Sequence, residues 1–170
     1  MSTNLNNDNR VYHLNISKEH ISKDIFLVGD QRRVGEISKH FDKIEYQIAN
    51  REFLTHTGYI GKKKISVIST GIGTDNIDIV MNELDSLINI DHESGLELKQ
   101  KTCLNLIRLG TSGAIQKEIN IDSVVVSSYG MGIDNLMYFY CNNRFDNEIQ
   151  NAIDKQLQWP NFLSKPYVYA

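Results

Sequence analysis

The sequence predicts an α/β fold with a mixed, mostly parallel central sheet flanked by helices. Three observations carry this. First, Ile25-Phe26-Leu27-Val28, Lys64 to Thr70 and Leu104-Asn105-Leu106-Ile107 are short runs rich in apolar and β-branched residues, the pattern of strands buried in a sheet. Second, each run is stopped by a glycine turn, at Gly29, at Gly71-Ile72-Gly73 and at Gly110. Third, segments with apolar residues three and four apart separate the runs, and strands alternating with helices imply a sheet covered on both faces.

Taken in order, residues 1–10 are polar and asparagine-rich and form a flexible arm. Val11 to Leu14 alternates briefly, and Ser17 is placed to cap a short turn over 18–21. After the strand at Ile25–Val28, Gly29-Asp30 leads into a helix whose face is Val34, Ile37, Ser38 and Phe41. Arg33 therefore sits where strand turns into helix. Ile44–Asn50 and Glu52–Ile60 read as two strands with Arg51 between them. The Lys64–Thr70 strand ends in glycines, and a helix starts there with Thr74 or Asp75 as its cap. Its apolar stripe is Ile77, Val80, Met81, Leu84, Leu87 and Ile88. Residues 91–102 are charged and aperiodic, a polar insertion. The run at Leu104–Ile107 reads as a buried strand delivering Arg108, and Ile121–Val126 as a further strand. Residues 129–140 read as a glycine-rich, aromatic loop, and 148–158 as a helix closed by Trp159-Pro160. The tail from Asn161 has no legible pattern. The chain is taken as one domain over 1–170.

Composition excludes several classes. A net charge of −3 gives no pull toward nucleic acid, and Lys62-Lys63-Lys64 is a solvated hairpin turn. Cys103 and Cys141 are far apart, their spacing suggests neither a zinc site nor a disulfide framework, and Cys103 at the start of an apolar strand reads as a small buried thiol. The five histidines include no pair at helical ligand spacing. No run is long and apolar enough to span a membrane. The expectation is a soluble, cytoplasmic protein with no membrane or nucleic-acid partner.

In such sheets ligands bind beyond the carboxyl ends of the strands. Three ends here carry suitable groups: Gly29 with Arg33, Thr70 to Gly73, and Arg108 with Thr111. Two arginines, a hydroxyl, glycine turns and a helix N-terminus amount to an oxyanion site, most simply for phosphate. Alternatives stand beside this. Arg108 is equally a buried structural ion pair, Arg33 a solvated charge, and Thr111 and Ser112 turn-formers. His13 is an ordinary surface histidine, and Arg51-Glu52 an exposed pair worth little. Tyr138, Phe139 and Tyr140 serve packing or an interface rather than base stacking. Gly71-Ile72-Gly73 starts a dinucleotide fingerprint, but the third glycine position is Asn76. The absence of Gly-Lys-Ser/Thr excludes a P-loop.

Five stretches in matching order resemble the N-terminal portion of the nucleoside phosphorylase and uridine phosphorylase family. They are Val11–Leu14, Gly29-Asp30-Gln31-Arg32-Arg33-Val34, Arg51-Glu52-Phe53, Ser69–Gly73 and Arg108-Leu109-Gly110-Thr111-Ser112-Gly113-Ala114-Ile115-Gln116. The likeness covers about 11–126, weakens from Tyr129, and is closer to uridine than to purine enzymes. It implies a phosphorylase/hydrolase-like fold and phosphorolysis of a pyrimidine nucleoside, uridine plus phosphate giving uracil and ribose 1-phosphate. Purine or other nucleosides, or a non-catalytic phosphate-binding remnant, are the alternatives. It implies that Gly29, Arg33, Arg108 and Thr111 hold phosphate, that Arg108 and Thr111 are catalytic, and that Thr111 also meets the ribose. Arg51 would join the phosphate site, and His13 the ribose 5′-hydroxyl, from a neighbouring subunit of a dimer-based homo-oligomer, in the family a hexamer. Phosphate is co-substrate and no other organic cofactor is implied. Glu52 matches a residue that holds K+ at a dimer interface in some relatives.

The sequence departs from the family pattern in places. Gln31 stands for a proline, Asn50 for a histidine, and 91–101 is inserted. No stretch matches the family's glutamine and arginine that read uracil, or its methionine–glutamate pair on the ribose hydroxyls. The resemblance thus implies a domain truncated at its C-terminus, and little or no phosphorolysis by these 170 residues alone.

Overall fold

The computed structural model describes residues 9–140 and 145–169. The first eight residues of the expected arm, and Cys141, lie outside the described residues. The chain divides into two compact units, up to Ser112 and from Gly113, where the sequence reading takes one domain.

The first unit is built on a five-stranded sheet. Its strands are β1 (Asp24–Val28), β2 (Lys43–Asn50), β3 (Phe53–Ile60), β4 (Lys63–Ser69) and β5 (Asn105–Arg108), in the spatial order β2-β3-β4-β1-β5. The pairs β1–β4 and β1–β5 are parallel; β2–β3 and β3–β4 are antiparallel. The sheet is therefore mixed, with a parallel three-strand core beside a hairpin meander.

Side-chain alternation on the strands divides the core between the two faces. Ile25 and Leu27 pack on one face with Phe53, Ile68 and the stripe Val80, Leu84, Leu87 and Ile88 of α2 (Thr74–Asn89). Val11, Leu14 and Ile16 close the same cluster, so the segment before β1 belongs to the core. On the other face Val28, Ile65 and Val67 meet Val34 of α1 (Gln31–Ser38) and Phe41. Between sheet and N-terminal segment, Ser66 Oγ accepts from the Ser22 amide at 2.8 Å and contacts the Thr57 hydroxyl at 2.7 Å, so these buried hydroxyls are satisfied.

Three expectations are corrected here. The Leu104–Ile107 run forms β5, but as an edge strand whose residues are all exposed, Ile107 by 53%. Cys103 is likewise exposed rather than buried. The Ile121–Val126 run forms no strand, and Ile121, Val124 and Val126 stand exposed. Strand propensity is expressed through pairing, and β5 pairs along one side only among the described residues. The polar insertion is pinned by Asn89, whose side chain donates to the Thr102 carbonyl at 3.2 Å and accepts from its amide at 2.7 Å.

The second unit contains β6 (Gly130–Gly132), α3 (Asn147–Leu157) and β7 (Tyr167–Tyr169), with β6 and β7 antiparallel. The expected loop over 129–140 thus carries β6, and the patternless tail carries β7. Tyr138, Phe145, Tyr167 and Tyr169 form an aromatic cluster. Asp146 caps α3 by accepting from the Ile149 amide at 3.0 Å. No helix among the described residues is long and apolar enough to cross a membrane.

Burial lowers the pKa of His20 and of His56 below the ordinary 6.5. The unfolded chain then binds more protons than the folded one as pH falls through 6.5. Their stabilising contribution is complete above that value and lost below it. Thermal unfolding at about pH 5.5 should occur at a lower temperature than at about pH 7.5. A His56→Gln substitution should reduce that difference, and an unchanged difference would assign it to other groups.

Candidate functional site

Register aligns the carboxyl ends of the three parallel strands. Val28 lies opposite Ser69, and Leu27 opposite Arg108. The chain leaves these ends at Gly29, at Gly71 and at Leu109-Gly110, where the Thr70 amide donates to the Val28 carbonyl at 2.7 Å and the Leu109 amide to the Leu27 carbonyl at 2.8 Å. The three turns therefore crowd one corner of the sheet.

Asp30 caps α1 by accepting from the Arg32 amide at 2.8 Å, which sets Arg33 in the first helical turn. From there Arg33 Nη2 donates to Thr111 Oγ1 at 3.3 Å. The Arg108 guanidinium folds back over its own turn. A Cβ on Gly110 would stand 2.9 Å from Nη1, and a Cβ on Gly29 would stand 3.8 Å from Nη2 and 3.7 Å from the Gly71 carbonyl. Gly29, Arg33, Arg108 and Thr111, separated by up to 82 positions in the chain, are thus gathered into one corner.

Two sequence alternatives can be decided. Arg108 is exposed on an edge strand, so it is not a buried ion pair. Among the described residues neither Arg33 nor Arg108 is ion-paired to a carboxylate, and both positive charges remain open to an anion. The cap of α2 is neither Thr74 nor Asp75 but Gly73, at φ 101°, preceded by Gly71 at φ 70°. A glycine cap brings no side-chain acceptor, so the first amides of α2 keep their hydrogen-bonding capacity.

His13 and Arg51 gather in a second group. Arg51 occupies the β2–β3 turn in the left-handed region, at φ 53°. Its guanidinium lies 5.1 Å from the Tyr12 ring centroid and donates to the Tyr12 hydroxyl at 3.2 Å. Its carbonyl accepts from Gln31 Nε2 at 2.9 Å. Asn50 Nδ2 donates to the His13 carbonyl at 2.8 Å. The two family departures, Gln31 and Asn50, therefore each hold the backbone of a candidate residue. Glu83 of α2, which the sequence reading missed, contacts His13 Nδ1 at 2.7 Å. A charged residue beside Val80 and Leu84 on an apolar helix face was the signal available for it.

Glu52 is exposed at the same turn, with its carbonyl accepting from Ser69 Oγ at 3.1 Å. Its side chain and that of Asn76 flank Gly71, where a Cβ would stand 3.2 Å from Glu52 Cγ and 2.5 Å from Asn76 Nδ2. Among the described residues no group of three His, Cys, Asp or Glu side chains stands together as a metal site. The corner holds cations, a hydroxyl and free amides, which suits binding and orienting an oxyanion rather than proton transfer.

Comparison with known proteins gives matches in both sequence and fold. A family model described as the phosphorylase superfamily matches residues 23–163. A uridine phosphorylase of Haemophilus influenzae is 31% identical over 132 residues, 76% of this chain and 47% of the relative. A DeoD-type purine nucleoside phosphorylase of Alkaliphilus metalliredigens is 35% identical over 116 residues, 68% of this chain and 44% of the relative. The crystal structure of a Trypanosoma brucei nucleoside phosphorylase, described as showing uridine phosphorylase activity, superposes with a TM-score of 0.83 at 28% identity. That match covers 96% of this chain and 56% of the other. The chain spans about half the length of the curated relatives it matches.

Proposed function

The chain belongs to the phosphorylase superfamily, and from that premise we propose that it forms the phosphate-holding part of a nucleoside phosphorylase, a pentosyltransferase. The observation that carries this reading is the meeting of Arg33, Arg108, Thr111 and Gly29 at the aligned ends of β4, β1 and β5. In the proposed reaction the two guanidinium groups, the Thr111 hydroxyl and the Gly29 amide hold phosphate against the anomeric carbon. A phosphate oxygen forms the new C–O bond as the C–N bond breaks, and the base leaves with that electron pair. The bound phosphate's negative charge stabilises the positive charge gathering on the sugar.

Thr111 also meets the ribose in this reading. A neighbouring copy lends Arg51 to the phosphate and His13 to the ribose 5′-hydroxyl, which requires a homo-oligomer built from dimers, up to a hexamer. A K+ ion at Glu52 would find one carboxylate there and take further oxygens from backbone or from the second copy. The setting is cytoplasmic.

Uridine is the proposed nucleoside, supported by the Haemophilus influenzae and Trypanosoma brucei likenesses. A purine nucleoside is the second reading, favoured by the identity to the Alkaliphilus metalliredigens enzyme. The test is a panel of uridine, thymidine, inosine and adenosine incubated with phosphate, with ribose 1-phosphate and free base quantified. Preferential uridine cleavage by a complete phosphorylase carrying this part supports the first reading, and preferential inosine or adenosine cleavage by it replaces that reading with the second. For the 170 residues by themselves the expected result is phosphate binding with little or no cleavage. Robust uridine phosphorolysis by them would overturn the half-site reading.

A further inference from the structure

Glu83 makes more contacts with the His13 segment than anchoring requires. Its Oε1 accepts from the His13 amide at 2.8 Å and contacts His13 Nδ1 at 2.7 Å, while Oε2 accepts from the Leu14 amide at 2.8 Å. The carboxylate is 14% exposed and the imidazole 29%. Two backbone amides would be enough to tie the segment to α2. The third contact acts on the ring and has a chemical consequence.

A carboxylate beside one ring nitrogen keeps the proton on that nitrogen. A proton on Nδ1 of His13 would be donated to Glu83, and in the neutral ring Nε2 would then carry the free lone pair. Asn50 fixes the same residue from the other side by donating to its carbonyl at 2.8 Å. Tyr12 packs edge-on against the ring, with centroids 4.9 Å apart. Glu83 thus holds both the backbone amide and the ring of His13, Asn50 holds its carbonyl, and Tyr12 packs on the ring.

We propose that Glu83 is a positioning residue that locks His13 in the Nδ1–H tautomer and presents Nε2 as a hydrogen-bond acceptor for a ligand hydroxyl. The identity of that hydroxyl, the ribose 5′-OH of a nucleoside, rests on the function proposed above. The tautomer lock does not.

The test starts with the unmodified chain. With 15N-labelled histidine at about pH 9, where imidazoles are neutral, long-range 1H–15N correlation should find His13 protonated at Nδ1. In Glu83→Gln the signal should shift to a mixture weighted to Nε2–H. His13 as Nε2–H in the unmodified chain, or an unmoved tautomer in a folded Glu83→Gln variant, would overturn the proposal. A merely structural anchor would leave the tautomer where it is. If Glu83→Gln does not fold, the measurement on the unmodified chain still decides. The second arm compares binding of uridine and 5′-deoxyuridine. The unmodified protein should prefer uridine about tenfold, one hydrogen bond to a polar group, and Glu83→Gln should bind the two alike. A lost Nδ1–H tautomer with the preference intact would overturn Glu83's role. The expected tautomer with no nucleoside bound would overturn the nucleoside reading and leave that role standing.

Discussion

Replacing Arg108 by alanine is expected to weaken binding of inorganic phosphate about ten- to a hundredfold, the loss of one or two charge-assisted hydrogen bonds. The side chain stands at the end of β5, folds over Gly110 and approaches Gly29, with no carboxylate partner among the described residues. An unpaired guanidinium held that way has its charge available for a ligand. The substitution should leave stability unchanged within about 0.5 kcal/mol, because the residue is exposed and its removal opens no cavity. Phosphate titration followed by 31P NMR or calorimetry, alongside an unfolding curve, separates the two effects. Arg108→Lys should recover part of the affinity, since an ammonium keeps the charge but not the planar fork. Unchanged phosphate affinity in Arg108→Ala would remove Arg108 from the site and with it the main support for the oxyanion corner.

The gathering of Gly29, Arg33, Arg108 and Thr111 was legible because its parts are local. Gly29 with Arg33, Thr70 to Gly73, and Arg108 with Thr111 each sit at the end of an apolar run, and an α/β sheet brings such ends together. Burial was not legible for β5. Leu104–Ile107 has the composition of an inner strand, yet β5 is the last strand of its sheet and, among the described residues, pairs only with β1. Sequence pattern reports what a strand is able to bury, whereas topology decides what covers it. The cap of α2 differs from the sequence pattern for a related reason. Thr74 and Asp75 are better capping residues than Gly73, but Gly71 and Gly73 alone reach the positive φ that the turn requires. The His13 group was invisible as a group, because Glu83, Asn50 and His13 belong to three separate elements that meet only in three dimensions.

Gly58→Ala is expected to produce the largest loss of stability, about 3 kcal/mol, near the upper end for overpacking a core. Gly58 lies buried in β3 opposite Ile44, at the point where the β2–β3 register shifts between Ile44 and Tyr46. A Cβ there would stand 2.1 Å from the Lys43 carbonyl, 2.7 Å from a Phe41 ring carbon and 3.0 Å from the Ile44 Cα. Two of these neighbours are backbone, so no rotamer change relieves the contact and β2 must move away from β3. That displacement would propagate to the tip of the hairpin, where Asn50 holds His13 and Arg51 rests on Tyr12. The control is Gly35→Ala in α1, where nothing lies within 4 Å of an added Cβ. That change should stabilise by about 0.5–1 kcal/mol, since alanine favours the helix over glycine. Denaturant midpoints of the two variants should therefore move in opposite directions. If Gly58→Ala kept the unmodified midpoint, β3 would not pass as closely beneath Lys43 as described, and the hairpin that carries Asn50 and Arg51 would have to be seated differently on the sheet.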